Sequence, residues 1–255
     1  MLRIDHLVIN IDEKYQIDND TINSIRNSGY PYEPKWGKGT KGFKASNIWI
    51  GQEYFEMIRL LKKDGGGWRK EWVEKYNKGH RGLICIIFET NDLDKDYHRL
   101  KQKGVEVTEP EFLKFKWFFN LFTRTMPWRN SYISFFEGIP LQISFQQMKD
   151  DKSRAFMEQY MVPNSTDNKI NGIKTIIIKG RLTASDKRKI KNIFEDIYEK
   201  DNEIIIKLTK DQKIIFKDSN DYRADVFTYC ESDELKLKEI IIENLTISNF
   251  MDKSV

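Results

Sequence analysis

The sequence predicts an α+β fold, a curled mixed β-sheet with its helices outside. Three observations predict it. One unit, a strand followed by a helix and then two or three strands, recurs along the chain and begins near residues 3, 82 and 172. Each unit is about 60–90 residues, too short to bury both faces of a sheet alone, so units must pair side by side around a shared concave surface. The 255 residues are 39% hydrophobic and 13% aromatic, enough for a real core and too rich for a disordered chain.

The first strand spans Leu2–Asn10, and strict alternation puts Ile4, His6 and Val8 on one face and Asp5, Leu7 and Ile9 on the other. Asp18, Asn19 and Asp20 offer helix caps, and the helix from about Thr21 stops at Gly29. A Pro/Gly/Lys-rich loop covers residues 30–42. Strands follow at Lys44–Ile50 and Glu53–Leu61, joined by a tight turn at Gly51-Gln52. Gly65-Gly66-Gly67 marks a linker; without the Lys-Ser/Thr of a phosphate loop it is not a nucleotide site. Apolar residues at 68, 72, 73 and 76 have helical spacing.

The theme returns with a buried strand at Gly82–Glu89 and a helix capped by Asn91-Asp92 and ended by Gly104. A short strand follows at Val105–Thr108, and Tyr132–Phe136 and Leu141–Gln146 form a hairpin. Between them Phe112–Arg129 reads as a long aromatic insertion. Residues 149–161 read as helical. The third appearance has a strand at Ile173–Lys179 and a helix at Ser185–Lys200 capped by Ser185 or Thr183, with Ile190, Ile193, Phe194 and Ile197 as its core stripe. Strands are expected at Glu203–Thr209, Lys213–Phe216, Ala224–Tyr229 and Glu239–Asn249.

Composition narrows the function. Forty-three basic and 39 acidic residues are interspersed without a single-sign block, so no nucleic-acid partner is expected. No apolar run approaches the ~20 residues that cross a bilayer. Asp5 and His6 interrupt the N-terminal apolar stretch, which is a strand and not a signal peptide. No membrane is therefore expected, and the expected location is cytoplasmic. The two cysteines, Cys85 and Cys230, form no CxxC pair, which excludes the usual structural zinc motif.

Three segments resemble the vicinal oxygen chelate superfamily, and more narrowly the bacterial glyoxalase-like domain proteins. They are Ile4-Asp5-His6-Leu7-Val8-Ile9, the run Ile84–Asp94 (ICIIFETNDLD), and the run Ser134–Ser144 (SFFEGIPLQIS). The second resembles the opening of the family's module and the third its close. The resemblance implies paired βαβββ modules around one cleft, with residues 1–64 and 80–148 as the two modules of a domain over 1–148. Residues 149–255 then form a C-terminal α+β region built on a third related module, which pairs with a fourth by dimerisation or closes over the first two.

The resemblance also implies a site. A metal-binding member takes one ligand from the first strand and one from the last strand of each module. Those places fall on His6, Glu56, Cys85 and Gln142. His6 and Glu56 suit one divalent ion such as zinc, nickel, iron or manganese. A glutamine carbonyl is a weaker, neutral ligand, and a cysteine flanked by isoleucines resists deprotonation unless a metal is already bound. The site reads as partly degenerate, and as holding one metal or none. His80, five residues before Cys85, falls on the other face by alternation, and His98 lies on a charged helix.

Glu56 is also the candidate general base, because a carboxylate among Phe55, Met57 and Ile58 is costly to bury ionised. Gln142, Ser144 and Gln146 form a polar alternate row, facing either the cleft or solvent. Trp117, Phe119, Arg124, Trp128, Tyr132 and Ser144 are the expected ligand-binding residues, the aromatics lining a pocket and the arginine meeting an anion. Three functions follow from the resemblance. One is a metal-dependent lyase, isomerase or dioxygenase of the glyoxalase type acting on a small oxygenated molecule. The second is a metal-free small-molecule-binding protein of the bleomycin-resistance kind. The third is a structural homodimer.

Overall fold

The computed structural model describes residues 2–35, 37, 39–117, 122–157, 159, 169–230 and 237–249, with only the backbone described at 115–117, 122 and 124. Its elements run β1 (Leu2–Asn10), α1 (Lys14–Ile17), α2 (Asn19–Asn27), β2 (Phe43–Ile50), β3 (Glu53–Leu60), α3 (Lys70–Asn77), β4 (Gly82–Thr90), α4 (Leu93–Gln102), β5 (Glu111–Trp117), β6 (Phe122–Tyr132), β7 (Gln142–Met148), α5 (residues 151–157) and β8 (Ile170–Gly180). Then come α6 (Ala184–Ile193), β9 (Ile197–Lys200), β10 (Glu203–Lys207), β11 (Lys213–Asp218), β12 (Arg223–Cys230), β13 (Ile240–Ile242) and β14 (Leu245–Asn249).

The strands form two mixed seven-stranded sheets, ordered β2-β3-β1-β4-β7-β6-β5 and β13-β14-β12-β8-β11-β10-β9. The first is two paired modules. Within each, the first strand lies parallel to the last, β1 beside β3 and β4 beside β7. The modules join where β1 meets β4 antiparallel. The second sheet repeats the plan: β8 lies parallel to β11, β12 parallel to β14, and β8 meets β12 antiparallel. The described part of the chain thus carries β12, β13 and β14 as a short fourth unit beside the third.

The two sheets stack across one continuous apolar core. Ile4, Leu7, Ile9, Phe88 and Phe145 of the first meet Ile176, Ile178, Phe216 and Val226 of the second, with Ile22 and Ile25 of α2, Leu93 and Leu100 of α4, and Ile190 and Ile193 of α6. Polar links fix the stacking. Glu53, 2% exposed, accepts from Ile173 N (2.7 Å) and Gln212 Nε2 (3.0 Å), and Gln212 Oε1 accepts from Ile4 N (2.9 Å). At another corner Asn244 Oδ1 accepts from Leu83 N, and the Tyr222 hydroxyl donates to Leu83 O. At the β2–β3 turn Gly51 sits at φ 63°, and a Cβ there would meet Asn171 O of the other sheet at 2.2 Å, so only glycine allows this approach.

Burial raises the Glu53 carboxyl pKa to about 7, against the lowering effects of Ile173 N–H, Lys210, Arg3 and Gln212. The folded state therefore keeps a proton that the unfolded chain releases near pH 4.5. Stability from this group is fully present below pH 4.5 and lost as the pH rises to about 7, by on the order of 3 kcal/mol. Urea unfolding at pH 4.5 and 8 checks this against Glu53→Gln, whose neutral amide removes that share of the slope. Equal slopes in the two proteins would sink it.

Several sequence expectations change. Val105–Thr108 forms no strand and keeps only an isolated bridge from Val107 to Ile133, and the partner of β7 is β6 rather than Tyr132–Phe136. The helix expected to Lys200 ends at Ile193, and Ile197 lies on β9, paired with Ile206 of β10. Its apolar spacing continues the helical stripe, but edge pairing with β10 overrides it. The aromatic insertion is a hairpin, β5 against β6, that extends the first sheet by pairing β6 to β7. β7 is therefore an inner strand, and its polar row is not a solvated face.

Candidate functional site

The free face of the first sheet is concave, and α3 is tucked into it. Trp72 packs there on Val8, Phe43, Ala45, Ile58, Ile84, Cys85 and Ile87, with Trp68 and Tyr132 alongside. Arg69 lies 3.4 Å over the Tyr132 ring, in cation–π geometry. The glycine triplet, all three at positive φ, is the sharp turn that brings this segment back over the sheet.

Above this plug His6, Asp5, Glu56 and Tyr54 come together. A bulge at Asp5 breaks the alternation of β1. Ile4 and Leu7 both enter the inter-sheet core, while Asp5 and His6 both turn to the concave face, which corrects the strict alternation expected for this strand. Asp5 Oδ2 lies 2.5 Å from His6 Nδ1 and accepts from Gln146 Nε2 at 3.2 Å. A carboxylate on Nδ1 sets the imidazole orientation and leaves Nε2 toward the site. That Nε2 is 3.8 Å from Glu56 Oε2, and the ring stacks on Tyr54 at 4.4 Å. The Glu56 side chain is 21% exposed. Burial raises its pKa, His6 pulls it down and Asp5 raises it further. The Tyr54 hydroxyl is pushed well above its usual range by burial and by Asp5, Glu56 and Tyr132.

The other two expected metal ligands are spent inside the fold. Gln142 Oε1 accepts from Trp72 Nε1 at 2.7 Å, and its Nε2 donates to Ile133 O at 2.8 Å. Cys85 is fully buried in the apolar cluster, where burial pushes its thiol pKa far up. Ser144 donates to Ser131 O. Of the polar row only Gln146 reaches the open cleft. His80 binds Leu83 O with a pKa lowered to about 4, first by burial, and His98 is exposed. Among the described residues no three His, Cys, Asp or Glu side chains group to hold a metal. The donor set left among the described residues, His6 Nε2 and the Glu56 carboxylate, is too small for a resident divalent ion, which takes four or more ligands.

Beside His6 opens a shallow cleft lined by Arg3, Asp5, Gln52, Tyr54, Trp128, Gln146, Met148, Arg154 and Met157. Trp128 lines this cleft, and Tyr132 lies deeper, against Trp72. Phe119 and the side chains of Trp117 and Arg124 lie outside the described residues. Arg3, Asp5, Arg154 and Met157 were not legible as site residues. Asp5 needs the bulge, and Arg154 needs α5 folded back over the sheet. Arg154 pairs with Glu89, and Arg3 donates to Glu89 Oε2 at 2.6 Å and to Gln52 Oε1 at 2.8 Å.

No protein-family model matches the chain, and no curated protein matches it either. Among solved structures, a hypothetical protein from Staphylococcus aureus is similar over 98% of this chain and 100% of its own, with a TM-score of 0.70 and 18% identity. The two share the fold over their full lengths. Methylmalonyl-CoA epimerase from Streptomyces coelicolor, in complex with 2-nitronate-propionyl-CoA, matches 58% of this chain and 98% of its own at a TM-score of 0.41 and 17% identity. The epimerase from Mycobacterium tuberculosis matches 59% and 91% at 0.41 and 12%. No described helix is long and apolar enough to cross a membrane.

Proposed function

We propose that this chain is a glyoxalase-like protein of the vicinal oxygen chelate type that binds a small oxygenated molecule without a resident metal. One observation carries the reading. Of the four positions that would ligate an ion, Gln142 is held by Trp72 and Ile133, and Cys85 is sealed in apolar packing, while His6 and Glu56 stay together beside the cleft. The arrangement suits binding and proton holding rather than chelation. His6, oriented by Asp5, presents one ring nitrogen, and Glu56 is a carboxyl whose raised pKa lets it hold or release a proton nearer neutrality than a free glutamate. Trp128, Tyr54, Met148 and Met157 offer an apolar wall to the rest of the ligand.

Elemental analysis tests this on protein purified without a histidine tag or chelator, beside a His6→Ala variant. The expected result is no stoichiometric zinc, nickel, iron or manganese in either protein, before or after soaking with each ion. Near-stoichiometric metal that disappears in the variant would overturn the reading. A second arm titrates neutral acetophenone while following backbone amide resonances. Shifts at Tyr54, Gln146 and Met148 are expected, with affinity changed less than about twofold by Glu56→Gln, since no ion is lost. Absence of shifts at these residues would count against the cleft as the binding site.

A further inference from the structure

We infer that the free face of the second sheet docks an acidic amphipathic helix of a partner protein. This face takes no part in the cleft, whose lining comes from the first sheet, its β2–β3 turn and α5. Alternation and cross-strand pairing fix what the face carries. In β10, Ile204 and Ile206 enter the inter-sheet core, which turns Glu203, Ile205 and Lys207 to the free side. The register then sets Tyr198, Ile205, Ile215 and Ile177 side by side across β9, β10, β11 and β8. Tyr198 is exposed, and Ile177 and Ile215 are half-buried. This apolar stripe runs between two basic rows. On one side Lys207 stands beside Lys213. On the other Lys200 flanks Glu203, and Lys179 stands between Lys217 and Arg223.

The carboxylates of these rows are already taken, Glu203 by Lys217 and Asp225 by Lys179. Lys200, Lys207, Lys213 and Arg223 are exposed, and none of the four pairs with a carboxylate among the described residues; Lys207 lies over the Tyr198 ring. The face is therefore apolar along its middle and positive along both flanks. The first sheet shows what such a middle accepts. Val8 of β1 lies between Glu56 and Cys85, and Ile177 of β8 holds the same place between Ile215 and Asp225. Val8 is covered by Trp72 of α3. The described helices α2, α4 and α6 pack into the inter-sheet core, and α3 and α5 lie on the first sheet, so none of these five covers Ile177. Dimensions fit a helix: the stripe crosses four strands, about 14 Å, and its basic rows stand about 13 Å apart, near the ~10–12 Å width of a helix. Apolar residues at i, i+3 or i+4 and i+7 meet the isoleucines, and flanking Asp or Glu meet the lysines. A single-stranded nucleic acid fits less well, because its bases stack on aromatic rings and the middle of this stripe is isoleucine.

The test uses a fluorescein-labelled stapled peptide of about 20 residues, with leucine at helical spacing and glutamate elsewhere. Its comparison has glutamine for every glutamate, and single-stranded oligothymidylate is the third probe. Fluorescence anisotropy at pH 7 and low salt is expected to show the acidic peptide binding at least about tenfold more tightly than the glutamine peptide, a preference lost in high salt. Amide resonances of Ile177, Ile205 and Ile215 should shift. The double variant Lys207→Glu with Lys213→Glu should weaken the acidic peptide at least about tenfold, and Lys101→Glu, at an exposed lysine of α4, should leave it unchanged. The lysines are exposed, so both variants keep the fold, which circular dichroism checks. Equal binding of the two peptides, no binding, or shifts confined to other residues would overturn the inference. Tighter binding of oligothymidylate would overturn the choice of a protein partner. Dimerisation of the protein alone, lost in the double variant, would overturn it in favour of a second copy of this chain.

Discussion

Replacing Trp72 with alanine lowers the stability of this protein by about 3–5 kcal/mol. The indole is 2% exposed and is the largest of the fully buried side chains. It fills the concave face between β1, β3 and β4, where Val8, Ile58, Cys85 and Ile87 surround it. No neighbour can collapse into its place without breaking strand pairing, so most of the cavity persists. Its Nε1 also supplies the hydrogen bond to Gln142 Oε1, and a buried amide oxygen left without a donor adds its own cost. Trp72→Phe separates the two effects, keeping most of the packing and losing the donor, with an expected loss of about 1–3 kcal/mol. Urea unfolding monitored by circular dichroism measures both. A loss below about 1 kcal/mol for the alanine variant would mean that α3 does not plug this face.

Asp186→Ala has a comparable effect through a different mechanism. The carboxylate is fully buried and accepts from Glu137 N (2.7 Å), Gly138 N (2.9 Å) and Thr183 N (3.0 Å). Thr183 Oγ1 accepts in return from Asp186 N, closing a capping box at the start of α6. The same side chain thus caps a helix of the second half and holds the 137–138 turn of the first. A Cβ on Gly138 would meet Arg181 O at 1.9 Å, which shows how closely the two segments meet. Burial alone would raise the carboxyl pKa, but the hydrogen bonds outweigh it and the net shift is downward. The contribution is therefore present at neutral pH and lost as the pH falls through the lowered value. Removing the group leaves three backbone donors unpaired, an expected cost of about 3–5 kcal/mol at pH 7 that shrinks toward acid pH. A pH-independent difference from wild type would sink this account.

Much of the fold was legible because its signals are local. Asp18, Asp92 and Thr183 cap their helices with side-chain oxygens, as Ser/Thr/Asp/Asn before a periodic run should. Most strands stand where alternation or continuous apolar runs put them, and the recurring strand–helix–strand order forecasts paired units in a curled sheet. Reading failed where a distant partner decides. Ile197 fits a helical stripe, and its pairing with β10 turns it into a strand. Phe112–Arg129 shows no clean period, and β6 gains its order by pairing with β7.

The sequence by itself determined the unit, its repetition and the reluctance of Cys85 to ionise. These follow from short-range periodicity and from the chemistry of a residue among its immediate neighbours. Only the tertiary structure decided what covers each face. Alternation puts Gln142 in a polar row that faces either the cleft or solvent, but does not show that Trp72, seventy residues away, meets it there. Nor does it show the bulge that sets Asp5 behind His6, or α5 bringing Arg154 to Glu89. Facing is a property of one strand, whereas occupancy depends on which segment the rest of the chain lays against that strand. The latter is set by long-range packing that no local pattern encodes.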